Sequence, residues 1–76
     1  MNSIQMIGTL KRMDYMINSE ATGSPEDFAR RLAVSKRSLF NYLSLLKELG
    51  GPIEYKRGLE SYVYMEDGRF IFGFKK

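Results

Sequence analysis

The sequence predicts an α+β fold in which three helices precede a small antiparallel sheet of two or three strands. Up to residue 49 the apolar residues recur every three to four positions, which is the period of an amphipathic helix. The run Gly50-Gly51-Pro52 then stops the helical pattern. After this stop, apolar and polar residues alternate, which is typical of strands with one buried face.

The chain length of 76 residues predicts a single domain that spans 1–76. Hydrophobic residues make up 43% of the chain and aromatic residues 13%, which is enough for one core and argues against disorder. The net charge of +3 gives a mild bias towards polyanions such as nucleic acids.

The chain contains no cysteine and no histidine, so it lacks the commonest metal ligands and the commonest general base. Its nine acidic residues form no clustered pattern, and we expect neither an enzyme nor a bound cofactor or metal. No signal peptide or membrane span is visible, because Lys11, Arg12 and Asp14 interrupt the apolar N-terminal stretch. We therefore expect a cytoplasmic protein that does not bind a membrane.

The pattern over residues 3 to about 19 predicts the first helix. Gly8 lies inside this helix and weakens it by about 1 kcal/mol relative to alanine. A polar loop over 18–23 follows. The spacing predicts one broad buried face, formed by Ile4, Ile7, Leu10, Asp14 and Ile17 with Met6, Met13 and Met16.

The segment from about 24 to 50 predicts two helices joined by a short turn. Ser24 is a capping residue, and Pro25 suits the first position of a helix that ends near Leu32. Three residues, Ala33-Val34-Ser35, separate it from a helix over about 36–49. This arrangement is a helix-turn-helix, whose second helix is shaped to enter a DNA major groove. Its inward stripe consists of Leu39, Leu43, Leu46 and Leu49.

The region from about 53 to 74 predicts the sheet and its loops. Turns are expected at 56–60 and 66–68. The expected strands are Ile53–Tyr55, Ser61–Met65 and Arg69–Phe74. A row of Phe70, Phe72 and Phe74 is the natural face to bury against the helices. Three helices followed by such a meander have the outline of a winged helix.

The start of the third helix carries the first group of candidate DNA-binding residues. Serine hydroxyls can donate to phosphate oxygens, basic residues can reach phosphates or guanine edges, and asparagine suits adenine. Tyr42 either contacts the DNA backbone or packs beneath the helix. The alternative for the group is that its charges are ordinary surface charges and that Ser35 is only a cap; the helix-turn-helix context favours DNA contact. The group consists of Ser35, Lys36, Arg37, Ser38, Asn41 and Tyr42.

The loop after the first strand supplies a second candidate contact. Lys56 and Arg57 at a hairpin tip are suited to phosphates or to a minor groove. A solvated turn is an equally good interpretation, because Glu54 and Glu60 offset the charge.

Other basic residues have simpler interpretations. Arg30 and Arg31 are expected to pair at helical spacing with the acids of the same helix, Glu26 and Asp27. Lys11-Arg12 is expected to belong to a solvated face. The tyrosines and phenylalanines of the sheet exceed what one face must bury, which favours self-association over the stacking of single-stranded bases.

Two runs, Phe28–Leu39 and Leu46–Tyr55, resemble the winged helix-turn-helix at the N-terminus of DeoR-like and WYL-type bacterial transcription regulators. The resemblance covers about residues 24–65. It implies binding to double-stranded DNA, usually as a dimer, with the residues from Ser35 to Ser38 and Asn41 at the DNA. The chain departs from the family at Phe40-Asn41, where two arginines are common, and at Ala33, where glycine is common.

The sequence therefore favours a stand-alone bacterial transcription regulator that binds double-stranded DNA in a sequence-specific manner, as a homodimer. The alternative is a protein-interaction or dimerisation module of the same fold that does not bind DNA.

Overall fold

The structure is a computed structural model that describes residues 3–72 and residue 74. Three helices precede a two-stranded antiparallel sheet, so the α+β class is confirmed. Each predicted helix and each of the first two predicted strands is present, with ends within one residue of those expected. The elements are α1 Ser3–Asn18, α2 Pro25–Leu32, α3 Lys36–Glu48, β1 Ile53–Lys56 and β2 Ser61–Tyr64, with a 3₁₀ turn Arg57–Leu59 between the strands.

The core lies where the three helices meet one face of the hairpin. In the sheet Tyr55 pairs with Tyr62, and their rings meet edge to face at 5.0 Å. Tyr62 also lies against Phe28 of α2, with 5.8 Å between the ring centres. The buried apolar residues are Leu10, Met13, Ile17, Phe28, Ala29, Leu32, Leu39, Leu43, Leu46, Ile53, Tyr62 and Val63.

The prediction that Ile4 and Leu49 are buried is wrong, since these residues are 82% and 58% exposed. The prediction for Ile7 is marginal, because this residue is 38% exposed. The reason in α1 is the side of the helix on which these residues lie, because Ile4 and Ile7 share a side with Tyr15, which is 73% exposed. The side that packs on the core carries Leu10, Met13 and Ile17, with Met6 half-buried beside them. Among the described residues, no helix has the length and apolar character that crossing a bilayer requires.

The predicted third strand, Arg69–Phe74, is not observed over its described residues, and Gly73 lies outside them. One reason is that the free edge of β2 is occupied: the backbone N–H of Tyr62 donates to Thr22 Oγ1 at 2.9 Å. Phe70 instead donates its backbone N–H to Asp14 Oδ1 of α1 at 3.0 Å. The phenylalanine row is confirmed only in part, since Phe70 and Phe72 pack on the core but Phe74 is 93% exposed.

The segment that contains Phe70 is nevertheless fitted closely to the domain. Gly51 is buried just after α3, and a Cβ at this position would lie 2.8 Å from the Phe70 ring and 2.9 Å from the Leu46 carbonyl oxygen. Only glycine therefore lets the Phe70 ring and the Leu46 carbonyl lie this close to residue 51. The ring of Phe70 also stacks on that of Phe72 at 5.9 Å.

All three helices end with the same pair of backbone hydrogen bonds, the Schellman motif. At the end of α3, Gly50 donates to the Lys47 carbonyl and Gly51 to the Leu46 carbonyl. The motif needs one residue in the left-handed region, with φ of 54° at Glu20, 58° at Ala33 and 100° at Gly50. Only α3 meets this requirement with glycine. At the ends of α1 and α2 the left-handed residues are Glu20 and Ala33, whose Cβ makes this conformation unfavourable.

We expect Ala33→Gly to stabilise the protein by about 0.5–1 kcal/mol, because glycine relieves the left-handed strain at an exposed position. Gly8→Ala is the opposite chemical change and is also expected to stabilise, by about 1 kcal/mol, since Gly8 is helical and a Cβ there meets nothing within 4 Å. Urea unfolding of both variants measures the two effects. Destabilisation by Ala33→Gly would contradict the left-handed conformation at this residue.

Candidate nucleic-acid interface

The start of α3 is built on a serine cap. Ser35 Oγ accepts the backbone N–H of Ser38 at 3.1 Å and donates to Ser38 Oγ at 3.2 Å. The capping role that the sequence left open for Ser35 is therefore present. The same bonds bring the two predicted serines together at the start of α3.

Behind this first turn the helix is anchored firmly. Leu39 is fully buried and Leu43 is 4% exposed, as the sequence predicts. Arg37 and Asn41 are exposed, and their spacing of four residues places them on the same face of α3. Phe40 lies beside them and is 45% exposed. Arg37 makes no hydrogen bond or ion pair with the described part of the chain, so its guanidinium is available to an external partner.

Tyr42 is half-buried and packs against the core. The packing that the sequence allowed for this ring is therefore present, and its contact with the DNA backbone stays a prediction. Less of its surface is consequently available to a partner than at Arg37 or Asn41.

Lys36 does not extend freely into solvent. Its Nζ lies 2.9 Å from Glu26 Oε1 in the first turn of α2, and both side chains are more than half exposed. The hydrogen bond with Lys36 is the main cause that lowers the pKa of Glu26 below its ordinary value. Glu26 therefore remains ionised at neutral pH and neutralises one of the two adjacent cations of α3.

The pairing expected within α2 is confirmed for one arginine only. Arg30 pairs with Asp27, whereas Arg31 donates from Nη1 to the Ala21 carbonyl at 2.7 Å. Arg12 is exposed as expected, but it also donates from Nη2 to the Arg31 carbonyl at 2.7 Å. These two arginines thus connect α2 to α1 and to the loop before α2.

The second candidate contact lies where β1 passes into the 3₁₀ turn, so of the predicted pair only Arg57 lies in the connection between the strands. Lys56 ends β1 and Arg57 begins the 3₁₀ turn, and both side chains are exposed. The strand pair packs mainly on α1, whereas α3 packs mainly on α2. The basic loop and the start of α3 are therefore supported by different parts of the core.

Two polar clusters that the sequence did not reveal hold this framework together. In the first, the carboxyl of Asp14 accepts from the Tyr64 hydroxyl at 2.7 Å as well as from the backbone of Phe70. Burial, and then the bond to Asp14, raise the pKa of Tyr64. The signal in the sequence is an acid on the apolar face of α1, and its partners could not be identified there because they lie 50 and 56 residues away.

The second cluster joins the loop before α2 to the start of β2. Thr22 and Ser61 are fully buried, and the Thr22 backbone N–H donates to Ser61 Oγ at 3.1 Å. Ser61 Oγ in turn donates to the Tyr62 carbonyl at 2.8 Å. Within the described residues, every buried side-chain nitrogen and oxygen has a hydrogen-bond partner.

Comparison of the chain with models of protein families, with curated proteins and with solved structures found no match in any of the three.

Proposed function

We propose that this chain binds double-stranded DNA as a small winged-helix transcription regulator, with the start of α3 in the major groove. The observation that supports this most strongly is the exposed guanidinium of Arg37, which has no partner among residues 3–72 and 74 and stands on the first turn of a helix whose opposite face is buried. A buried rear face gives the rigid support that base readout needs, and the exposed turn is what a groove would receive.

The chemistry of this turn suits DNA at two levels. The N-terminus of α3 carries partial positive charge from the helix dipole, which favours nearby phosphates. One turn apart on the same face, Arg37 matches the O6 and N7 acceptors of guanine, and Asn41 matches the N6 and N7 groups of adenine. Lys56 at the end of β1 and Arg57 in the strand connection serve as a wing that contacts the backbone.

The local architecture also agrees with the proposed winged-helix fold. A turn of three residues separates α2 from α3, and its Val34 packs against the core as the anchor of that turn. The hairpin follows α3 directly, and Thr22 lies along the free edge of β2. These features support a helix-turn-helix followed by a wing.

We expect Arg37→Ala to weaken binding to a selected duplex by about 1–3 kcal/mol, or about five- to 150-fold, because the variant loses a base or phosphate contact. The duplex is obtained by selection from a random-sequence pool, and binding is followed by fluorescence anisotropy across a salt series. Lys47→Ala is the matched control, since it removes one exposed positive charge from the last turn of α3.

Absence of salt-dependent binding to any duplex, with wild-type protein that is folded, would contradict the proposal. An equal loss of affinity for Lys47→Ala and Arg37→Ala would show that total charge rather than the start of α3 controls binding.

We further propose that the chain binds a palindromic site as a homodimer. Sedimentation with and without the duplex measures the number of copies in the complex.

A specific observation supports the second candidate function, a protein-interaction or dimerisation module. Ile4, Ile7 and Tyr15 are exposed by 82%, 38% and 73%, and their spacing places them along one side of α1. An exposed apolar stripe is typical of an association surface. Self-association without any binding to DNA would favour this candidate.

A further inference from the structure

We propose that Glu26 competes with DNA phosphates for Lys36 and thereby limits both the affinity of the protein for DNA and its dependence on salt. The inference rests on the proposed function and assigns a role to a residue of α2 that does not itself bind DNA. Glu26 is a positioning residue, since it acts on DNA through the lysine that it holds.

The geometry of the pair is the first support. Glu26 lies in the first turn of α2 and Lys36 in the first turn of α3, so their contact bridges the turn that joins the two helices. The separation of 2.9 Å between Nζ and Oε1 is that of a charge-assisted hydrogen bond. The lysine is therefore directed towards α2 in the free protein rather than along the exposed face of α3.

The exposure of the pair is the second support. The Lys36 side chain is 52% exposed and that of Glu26 is 61% exposed, so a phosphate can approach the ammonium group without any change in the core. An exposed ion pair is weak and is screened by salt, so the pair can be exchanged for another. DNA that engages Lys36 must either displace the carboxylate or accept its negative charge nearby.

The distribution of acids is the third support. The other acid in this turn, Asp27, already pairs with Arg30, and its backbone N–H is held by the Ser24 cap. No other acidic side chain within the described residues forms an ion pair with the first turn of α3. Removal of the Glu26 charge therefore releases Lys36 without a second carboxylate to replace it.

We expect Glu26→Gln to raise the affinity for a mixed-sequence duplex about three- to fivefold at low salt, which is the upper range for release of a weak exposed ion pair. Because one more phosphate is neutralised, the slope of log affinity against log salt should steepen by about 0.9, so the gain shrinks about threefold when salt rises fourfold. Fluorescence anisotropy over a salt series measures both quantities.

Glu48→Gln is the control, because it removes the same single negative charge as Glu26→Gln. Glu48 is exposed at the other end of α3, about 18 Å along the axis from Lys36. This distance is more than twice the Debye length of about 8 Å at physiological salt, so the two variants are compared at that point of the salt series. If the control and Glu26→Gln raise affinity and slope equally, net charge explains the effect and the inference is overturned.

A double-mutant cycle with Lys36→Gln separates the lysine from direct repulsion between Glu26 and DNA. If Glu26 acts through Lys36, E26Q in the K36Q background leaves affinity and slope unchanged. A full gain in that background would show direct repulsion and would overturn the inference. Failure of the wild-type protein to bind any duplex would reject the proposed function itself, which is a different outcome from binding that E26Q does not alter.

Discussion

Replacement of Asp14 by alanine is expected to lower the free energy of unfolding by about 3 kcal/mol. Asp14 is 9% exposed, and its carboxyl accepts two hydrogen bonds, from the Tyr64 hydroxyl and from the Phe70 backbone N–H. A hydrogen bond to a charged group contributes about 1.5–3 kcal/mol, and loss of the acceptor leaves both donors without a partner. In a domain of this size the melting temperature should fall by about 4–8 °C for each kcal/mol.

Two further variants test whether these hydrogen bonds are responsible. Asp14→Asn keeps one oxygen acceptor and the shape of the side chain, so its loss should be smaller than that of Asp14→Ala. Tyr64→Phe removes only the hydroxyl donor and should cost about 1–2 kcal/mol. If all three variants unfold at the same urea concentration as the wild type, the Asp14 contacts do not stabilise the fold.

The same cluster contributes to the change of stability at high pH. The pKa of the Tyr64 hydroxyl is raised in the folded protein. This hydroxyl therefore stays neutral in the folded protein at a pH at which the same hydroxyl is ionised in the unfolded chain. This contribution is complete below about pH 10, the ordinary tyrosine pKa, and is lost as the pH rises above it. Tyr64→Phe should therefore show a smaller decrease in stability above pH 10 than the wild type does.

Replacement of Thr22 by valine is expected to cost about 2 kcal/mol, although the two side chains have nearly the same shape. The Thr22 hydroxyl accepts from the Tyr62 backbone at 2.9 Å and donates to the Gly23 carbonyl at 2.9 Å. Valine leaves the buried N–H of Tyr62 without its acceptor, and an unpaired buried polar group costs about 1–3 kcal/mol. Urea unfolding provides the measurement.

Thr9→Val provides the matched control for this change. The Thr9 hydroxyl bonds to the Gln5 carbonyl one turn earlier in α1, and this bond is exposed to water. Its loss should change stability by less than about 0.5 kcal/mol. A cost for Thr22→Val no larger than that of Thr9→Val would mean that water or another group satisfies the edge of β2.

Local signals in the sequence were sufficient for the three helices and the two observed strands. Ser24 and Ser35 mark the starts of α2 and α3, and in the structure each caps its helix through a backbone N–H three residues later. The glycines after α3 and the change of period beyond them locate the hairpin. These signals depend on neighbours along the chain, which is why they could be interpreted without a structure.

The features that could not be predicted depend on residues far apart in the chain. The Asp14 contacts cross 50 and 56 residues, and the Thr22 contact with Tyr62 crosses 40. The third strand was expected because Phe70 and Phe72 alternate correctly, but alternation does not show whether a partner edge is available. The contact between Lys36 and Glu26 spans ten residues across a turn, so helical spacing gave no indication of it.

The left-handed residues at the ends of α1 and α2 bear on how readily this domain tolerates sequence change. Glu20 and Ala33 are both exposed, so glycine at either position alters no packing in the core. A background with both glycines would offset the cost of an unfavourable residue elsewhere. Libraries that vary the outward face of α3 could then be sampled more widely, since fewer members would be lost to unfolding.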